Sequence, residues 1–244
     1  MEKKYELIPS DKEGLYRIKA LRSFYFIKEG TVGGYVASED NLSHEGNCWI
    51  HNNAIVCEEA LVEDNAQIYD SAVISGYATV CDNTLVYNEA KVFGDARVWD
   101  NARVFHFARL YGDAVACGTA QIGGYSSVFD YAGVKGNARV MGTCVVGGHA
   151  DILDNVCLYG DAVVKSMRDY IVFKNWWSSG RFFTWTRSNN MWDVGCFHGT
   201  GKELVEKAYK DSEESGREYE RIVKYVEEII KQEKQNGTEE TTSV

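Results

Sequence analysis

The chain has 244 residues, 45% of them apolar and 25% charged, a composition that excludes global disorder. No run approaches the ~18 uncharged apolar residues of a membrane span, and MEKKYELIPSDKEG at the N-terminus has no apolar stretch of the kind a secretory signal needs. A net charge of −10 disfavours a nucleic acid as the main partner, and seven cysteines without a CxxC pair argue against a disulfide framework or a zinc cluster, so a reduced, cytoplasmic, non-membrane protein is expected.

Residues 1–47 read as an N-terminal β cap. Tyr5-Glu-Leu-Ile8 and Leu15-Tyr-Arg-Ile-Lys-Ala-Leu21 form a hairpin pattern around Asp11-Lys-Glu-Gly14. From Asn53 to Ser166 the chain divides into nineteen six-residue units with no insertion or deletion, and Cys48 and Ile50 carry the phase one unit upstream. The second position is alanine in 15 of 19 units, the exceptions being Thr84, Ser126, Cys144 and Val156. The fourth is Val, Ile or Leu in 18, the exception being Ala116. Small-x-aliphatic puts two side chains on one face of a short strand. Gly, Asp and Asn crowd the sixth and following first positions, where a tight corner needs positive φ. Each unit is one strand and one corner, and no unit can bury its inner face alone, so residues 48–166 must wind into stacked coils.

This pattern resembles the left-handed parallel β-helix of the hexapeptide-repeat proteins, with three units per coil. That resemblance implies just over six coils, about 30 Å tall at one strand spacing per coil. Ile27-Lys-Glu-Gly-Thr-Val-Gly-Gly-Tyr-Val36, followed by Asn41-Leu-Ser-His-Glu-Gly-Asn-Cys-Trp-Ile50, is similar to the lead-in segment of a bacterial hexapeptide-repeat family related to the YdcK protein. Members of that family are described as acyltransferases, largely from their fold. The resemblance implies a homotrimer with parallel axes.

After Ser166 the six-residue phase stops, and residues 167–235 read as a small α+β module. Tyr170-Ile-Val-Phe-Lys, Arg181-Phe-Phe-Thr-Trp-Thr-Arg187 and Met191-Trp-Asp-Val-Gly-Cys-Phe197 read as three strands, with Ser188-Asn-Asn190 as a turn. Thr200-Gly-Lys-Glu203 has capping-box spacing and opens a helix that presents Leu204, Val205, Ala208 and Tyr209 on one face. Gly216 is expected to break it. A second helix follows, with Tyr219, Ile222, Val223, Val226, Ile229 and Ile230 in one stripe. Residues 236–244 read as a polar, disordered tail. The module resembles those of uncharacterised phage and prophage proteins. The fold expected is therefore mainly β, a left-handed parallel β-helix with an N-terminal β cap and a small C-terminal α+β module.

The repeat segment carries 7 basic and 14 acidic residues, so any anion site on it is local. One coil bears an outward Arg–aromatic pair on each face: Arg97/Trp99, Arg103/Phe105 and Arg109/Tyr111. Such pairs suit either a protein interface or a bound anion or base, and Tyr69, Tyr87, Phe93 and Phe129 suit a seam between subunits. The resemblance to acyltransferases implies a histidine base with acyl-CoA as cofactor, and His106 and His149 occupy corners from which they reach a neighbouring subunit. A plain corner role competes with that reading. No loop protrudes from the coils, no proline-containing segment follows the last one, and only Arg139 and Lys165 offer positive charge there. No metal-ligand spacing appears. In the C-terminal module Arg181, Phe183, Trp185 and Arg187 share one strand face, which is either core or an exposed platform for a small anionic ligand or a protein partner. The function expected is a non-catalytic, trimeric scaffold that binds a ligand or partner. One version sequesters a small nucleotide-like signal, as a phage protein would. The alternatives are an acyl-CoA-dependent acyltransferase and a structural part of a larger particle.

Overall fold

The structure is a computed structural model describing residues 2–240, with side chains described through residue 235. The chain forms two compact units. The first comprises Met1–Tyr170 with Thr186–Asn189, the second Ile171–Trp185 with the chain from Asn190 onward.

In the first unit β1 (Tyr5–Pro9) and β2 (Tyr16–Ala20) form the antiparallel hairpin expected, and β3 (Val32–Val36) adds antiparallel to β2. β3 then pairs in parallel with Ile55–Val56, so the cap and the solenoid share one sheet. From there two-residue strands repeat as a parallel β-solenoid of about seven turns. Its three faces are sheets of ten, seven and six strands, the ten including β1 to β3.

Winding starts earlier than the repeat suggests. Val36 pairs with Val56 and Leu42 bridges Val62, each 20 residues on, whereas Ile50 pairs with Ile68, 18 on. The first coil therefore has one side two residues longer than the others. Every later pairing, from Ile55↔Val73 to Val145↔Val163, keeps a spacing of 18.

The corners show why the sixth positions are Gly, Asp or Asn. Each of them from Glu58 to Gly160 has φ between +53° and +80°. Where the residue is not glycine, its side chain often accepts the backbone N–H of the equivalent corner one coil on. Asp64 accepts from Asp82 (3.3 Å), Asp82 from Asp100 (3.0 Å) and Asp100 from Gly118 (2.9 Å). Inside, the second-position residues and fourth-position aliphatics are fully buried, apart from traces of exposure at Ala60 and at Val156, which stands in a second position. At the far end Ser188 Oγ accepts the Val163 N–H (2.7 Å) and Asn189 Nδ2 donates to Asp161 (2.9 Å), so the turn 186–189 covers the last coil.

In the second unit the strands β4 (Tyr170–Lys174), β5 (Phe182–Thr186), β6 (Met191–Val194) and β7 (Phe197–Gly199) form one sheet in chain order, the end residues Tyr170 and Thr186 being assigned to the first unit. The third expected strand is thus two. Gly195, at φ +62°, turns the chain, and Trp192↔Gly199 closes an antiparallel hairpin. Helices α1 (Gly201–Asp211) and α2 (Glu213–Glu240) cover the sheet. The Thr200–Glu203 capping box forms, with Glu203 Oε2 accepting the Thr200 N–H at 2.8 Å.

Gly216 does not break the helix. The break falls at Ser212, whose extended backbone ends α1 and whose hydroxyl accepts the Ser215 N–H to start α2. Gly216 lies inside α2 because a Cβ there would overlap the Tyr209 ring; the missing side chain lets the two helices close. α2 runs to Glu240, so the expected tail is helical over 236–240, and 241–244 lie outside the described residues. Phe183, Trp185, Trp192, Leu204, Ala208, Tyr219, Val223 and Val226 form this unit's core.

Candidate functional site

The outward residues of the solenoid sort by face. Arg97, Arg103 and Arg109 are exposed on three different sheets, beside Thr79 and Val115, Leu85 and Gln121, and Lys91 and Ser127 respectively. They do not converge on one site. Their aromatic neighbours form ladders instead. Phe93, Tyr111 and Phe129 stack face to face at 4.8 and 5.2 Å, and Tyr87 stacks on Phe105 at 5.1 Å. Each ladder reaches a glycine: Phe129 lies over Gly147 and Phe105 over Gly123, where a Cβ would meet the ring at 2.7 Å. Trp99 is half-buried on its own face.

The two expected histidines are corner residues. His106 has φ +57°; its backbone N–H donates to Asn88 (3.3 Å), and its Nδ1 accepts the Gly124 N–H (3.4 Å). It is one rung of a corner ladder, and the lone pair that accepts from Gly124 is not available as a base. His149 is exposed and stacks on Tyr131 at 5.0 Å. The histidines with carboxylate partners are others, His44 with Glu39 (2.8 Å) and His198 with buried Asp193 (2.6 Å). Glu63, Asp64 and Cys81 bring ligand atoms within 4.8 Å of one another, but Asp64 already accepts from Asp82. The Cys81 thiol is pushed up to about 11 by burial and surrounding carboxylates, which keeps it protonated and a poor metal ligand.

The C-terminal module corrects one expectation. Trp185 is 1% exposed and its indole N–H donates to Asn190 (2.8 Å), so it belongs to the core and presents no surface to a ligand. Arg187 is engaged at the covering turn, with Nε donating to the Arg168 carbonyl (3.1 Å) and its backbone N–H to Asp169 (2.8 Å). Arg181 differs from both. It is exposed and lines a pocket of about 280 Å³ together with Lys207, Tyr219, Asn175, Phe197 and Asp211.

The pocket is built by the split third strand. Gly195 has no side chain at the place where the Arg181 guanidinium passes, an added Cβ lying 3.3 Å from Nη1, and Phe197 sits 5.6 Å from Lys207 Nζ by its ring centre. On the floor, buried Asn175 donates to the Tyr219 hydroxyl (3.0 Å), while its own carbonyl oxygen accepts from the Ser178 N–H (2.9 Å) and hydroxyl (3.0 Å). The Tyr219 oxygen therefore accepts from Asn175 and keeps its proton to donate. Burial pushes this phenol above its ordinary range, with the nearby Arg181 charge acting the other way. Two cations, one carboxylate (Asp211), a phenolic donor and an apolar wall of Val194, Phe197 and Leu204 thus share one concavity, whose charge is net positive by one.

Sequence reasoning named Arg181 but missed Tyr219, which it read as part of a buried stripe, and did not single out Lys207. No protein-family profile matches the chain, and no curated protein matches it. Among the described residues no helix is long and apolar enough to cross a membrane.

Proposed function

We propose that the protein is a non-catalytic binding scaffold, a homotrimer of β-helices whose C-terminal module holds a small anionic ligand with an apolar or aromatic portion. The pocket in the second unit carries this reading, because it places Arg181, Lys207 and the Tyr219 hydroxyl beside an apolar wall. A cationic pair with one spare donor matches a phosphate or carboxylate. The volume, at the small end for ligand sites, suits a ligand of mononucleotide size. Of the resemblances noted in the sequence, the one to phage modules agrees with a small sequestered signal. The aromatic ladders support trimer formation, since flat stacked rings on one face suit a subunit seam. The acyltransferase reading gains no support from the corner roles of His106 and His149.

Native mass spectrometry of gently purified protein tests both parts. A trimer carrying an anionic adduct, lost in Arg181→Ala and Lys207→Ala with the trimer intact, is the expected result. A bare monomer overturns the assembly, and an adduct retained in both variants overturns the pocket.

A further inference from the structure

Lys4 has no exposed surface, although it lies at the start of the chain. Its Nζ donates to the carbonyls of Glu45 and Cys48, each at 3.1 Å, and lies 3.1 Å from the Cys48 sulfur. The Phe24 ring closes over the ammonium group at 5.3 Å. Cys48 is also fully buried, and its thiol points towards the Ser43 carbonyl at 3.4 Å. This is the point where the cap meets the first coil: Lys4 precedes β1 and Cys48 precedes the strand Trp49–Ile50. Burial lowers the lysine pKa and raises the thiol pKa, and the contact between the two groups acts the other way on each. An ordinary structural lysine would point to carbonyls alone. Here nitrogen and sulfur touch in a dry site that holds both in place, and a single inserted oxygen spans that gap with only a small contraction.

We propose that Lys4 and Cys48 are a modification site, oxidised by peroxide to a lysine–cysteine cross-link with one oxygen between nitrogen and sulfur. Peroxide takes two electrons from sulfur, giving the sulfenic acid and water, and a second peroxide takes two from nitrogen, giving the hydroxylamine and water. Condensation of the two forms the N–O–S bridge and releases a third water. In sum, one thiol, one amine and two hydrogen peroxides give the bridge and three waters. Four equivalents of an external thiol reverse it, returning amine, thiol and water with two disulfides. The oxidised protein has its N-terminal strand covalently fastened to the first coil, and the reduced protein does not.

The test treats the folded wild-type chain with hydrogen peroxide, blocks remaining thiols and digests with a Glu-specific protease. Peptides 3–6 and 46–58 carry Lys4 and Cys48. The expected product is the two joined, about 14 Da heavier than their sum (one oxygen gained, two hydrogens lost), and separated again by dithiothreitol. Tandem spectra distinguish Cys48 from Cys57 in the second peptide. Lys4→Met, which keeps the apolar bulk, and Cys48→Ala, which keeps a small buried side chain, must each abolish the joined species. Recovery of separate peptides with Cys48 unmodified or carried on to the sulfinic acid overturns the proposal, as does a joined pair lighter by about 2 Da, which would be a direct N–S bond.

Discussion

The Asp82 carboxylate accepts the backbone N–H of Asp100, one full coil further along, at 3.0 Å, and the two residues have φ of +55° and +61°. One side chain thus performs two tasks: it tolerates the left-handed corner and binds the next corner to it. Asp82→Asn should leave stability almost unchanged, because Asn tolerates the conformation and keeps an acceptor. Asp82→Ala should cost about 1–2 kcal/mol, from the positive φ and the lost bond. Asp82→Gly should fall between them. Urea unfolding of the three variants checks the ranking; equal losses would separate the bond from stability.

Gly147 and Phe129 should behave as a coupled pair. In the wild-type background Gly147→Ala drives a Cβ against a ring held by stacking on Tyr111, at a cost of about 1 kcal/mol. In a Phe129→Ala background the same change meets no ring and should be neutral or stabilising, because alanine restricts the unfolded chain. A double-mutant cycle reads the change of sign.

Thr84 stands where the repeat prefers alanine, and its buried hydroxyl has no hydrogen-bond partner. Ser126, at the same repeat position, donates to the Gly123 carbonyl at 2.7 Å. Thr84→Ala should therefore stabilise the chain by about 1 kcal/mol, or at least cost nothing, while Ser126→Ala should not stabilise it. Thermal melts of the two variants side by side give the comparison, and a loss for Thr84→Ala would contradict it.

His51 stacks on Tyr69 at 4.0 Å, with its Nε2 2.8 Å from Gln67 Oε1. Burial depresses its pKa, with the Gln67 bond acting the other way. Above pH about 6.5 both folded and unfolded states are neutral there, and its contribution is complete. As pH falls below that, the unfolded state takes the proton first, so stability declines until the folded state also protonates. His51→Asn should flatten the slope of stability between pH 7 and 5 without regard to its overall level. A slope unchanged by the substitution would assign the effect elsewhere.

Much of this fold is legible because the solenoid writes one rule many times. A second-position alanine faces inward beside a corner, a fourth-position aliphatic fills the centre, and a corner residue must accept positive φ, so nineteen units state the same constraint. The first coil is less legible. Leu42 and Ile50 are eight residues apart rather than six, and nothing local marks that longer side. Gly216 misleads because a helix-breaking residue in sequence is a packing residue in space, read only once Tyr209 is seen against it. The pocket stayed hidden for a similar reason. Arg181, Lys207 and Tyr219 come from the lead-in to a strand and from two helices, and each alone looks like surface or core. Lys4 and Cys48, 44 residues apart, carry no shared motif at all.

The constant spacing of 18 makes the first unit a ruler graduated in coils. Removing residues 83–100 would join Asp82 directly to Asn101, and the Asp82 carboxylate would then meet the Gly118 N–H that Asp100 now holds. The cap at one end and the turn 186–189 at the other would find unchanged partners, while the span between them shortened by one strand spacing, about 4.8 Å. Distance along this axis is set by how many times the chain repeats itself, and it can be changed by whole coils without redesigning either end.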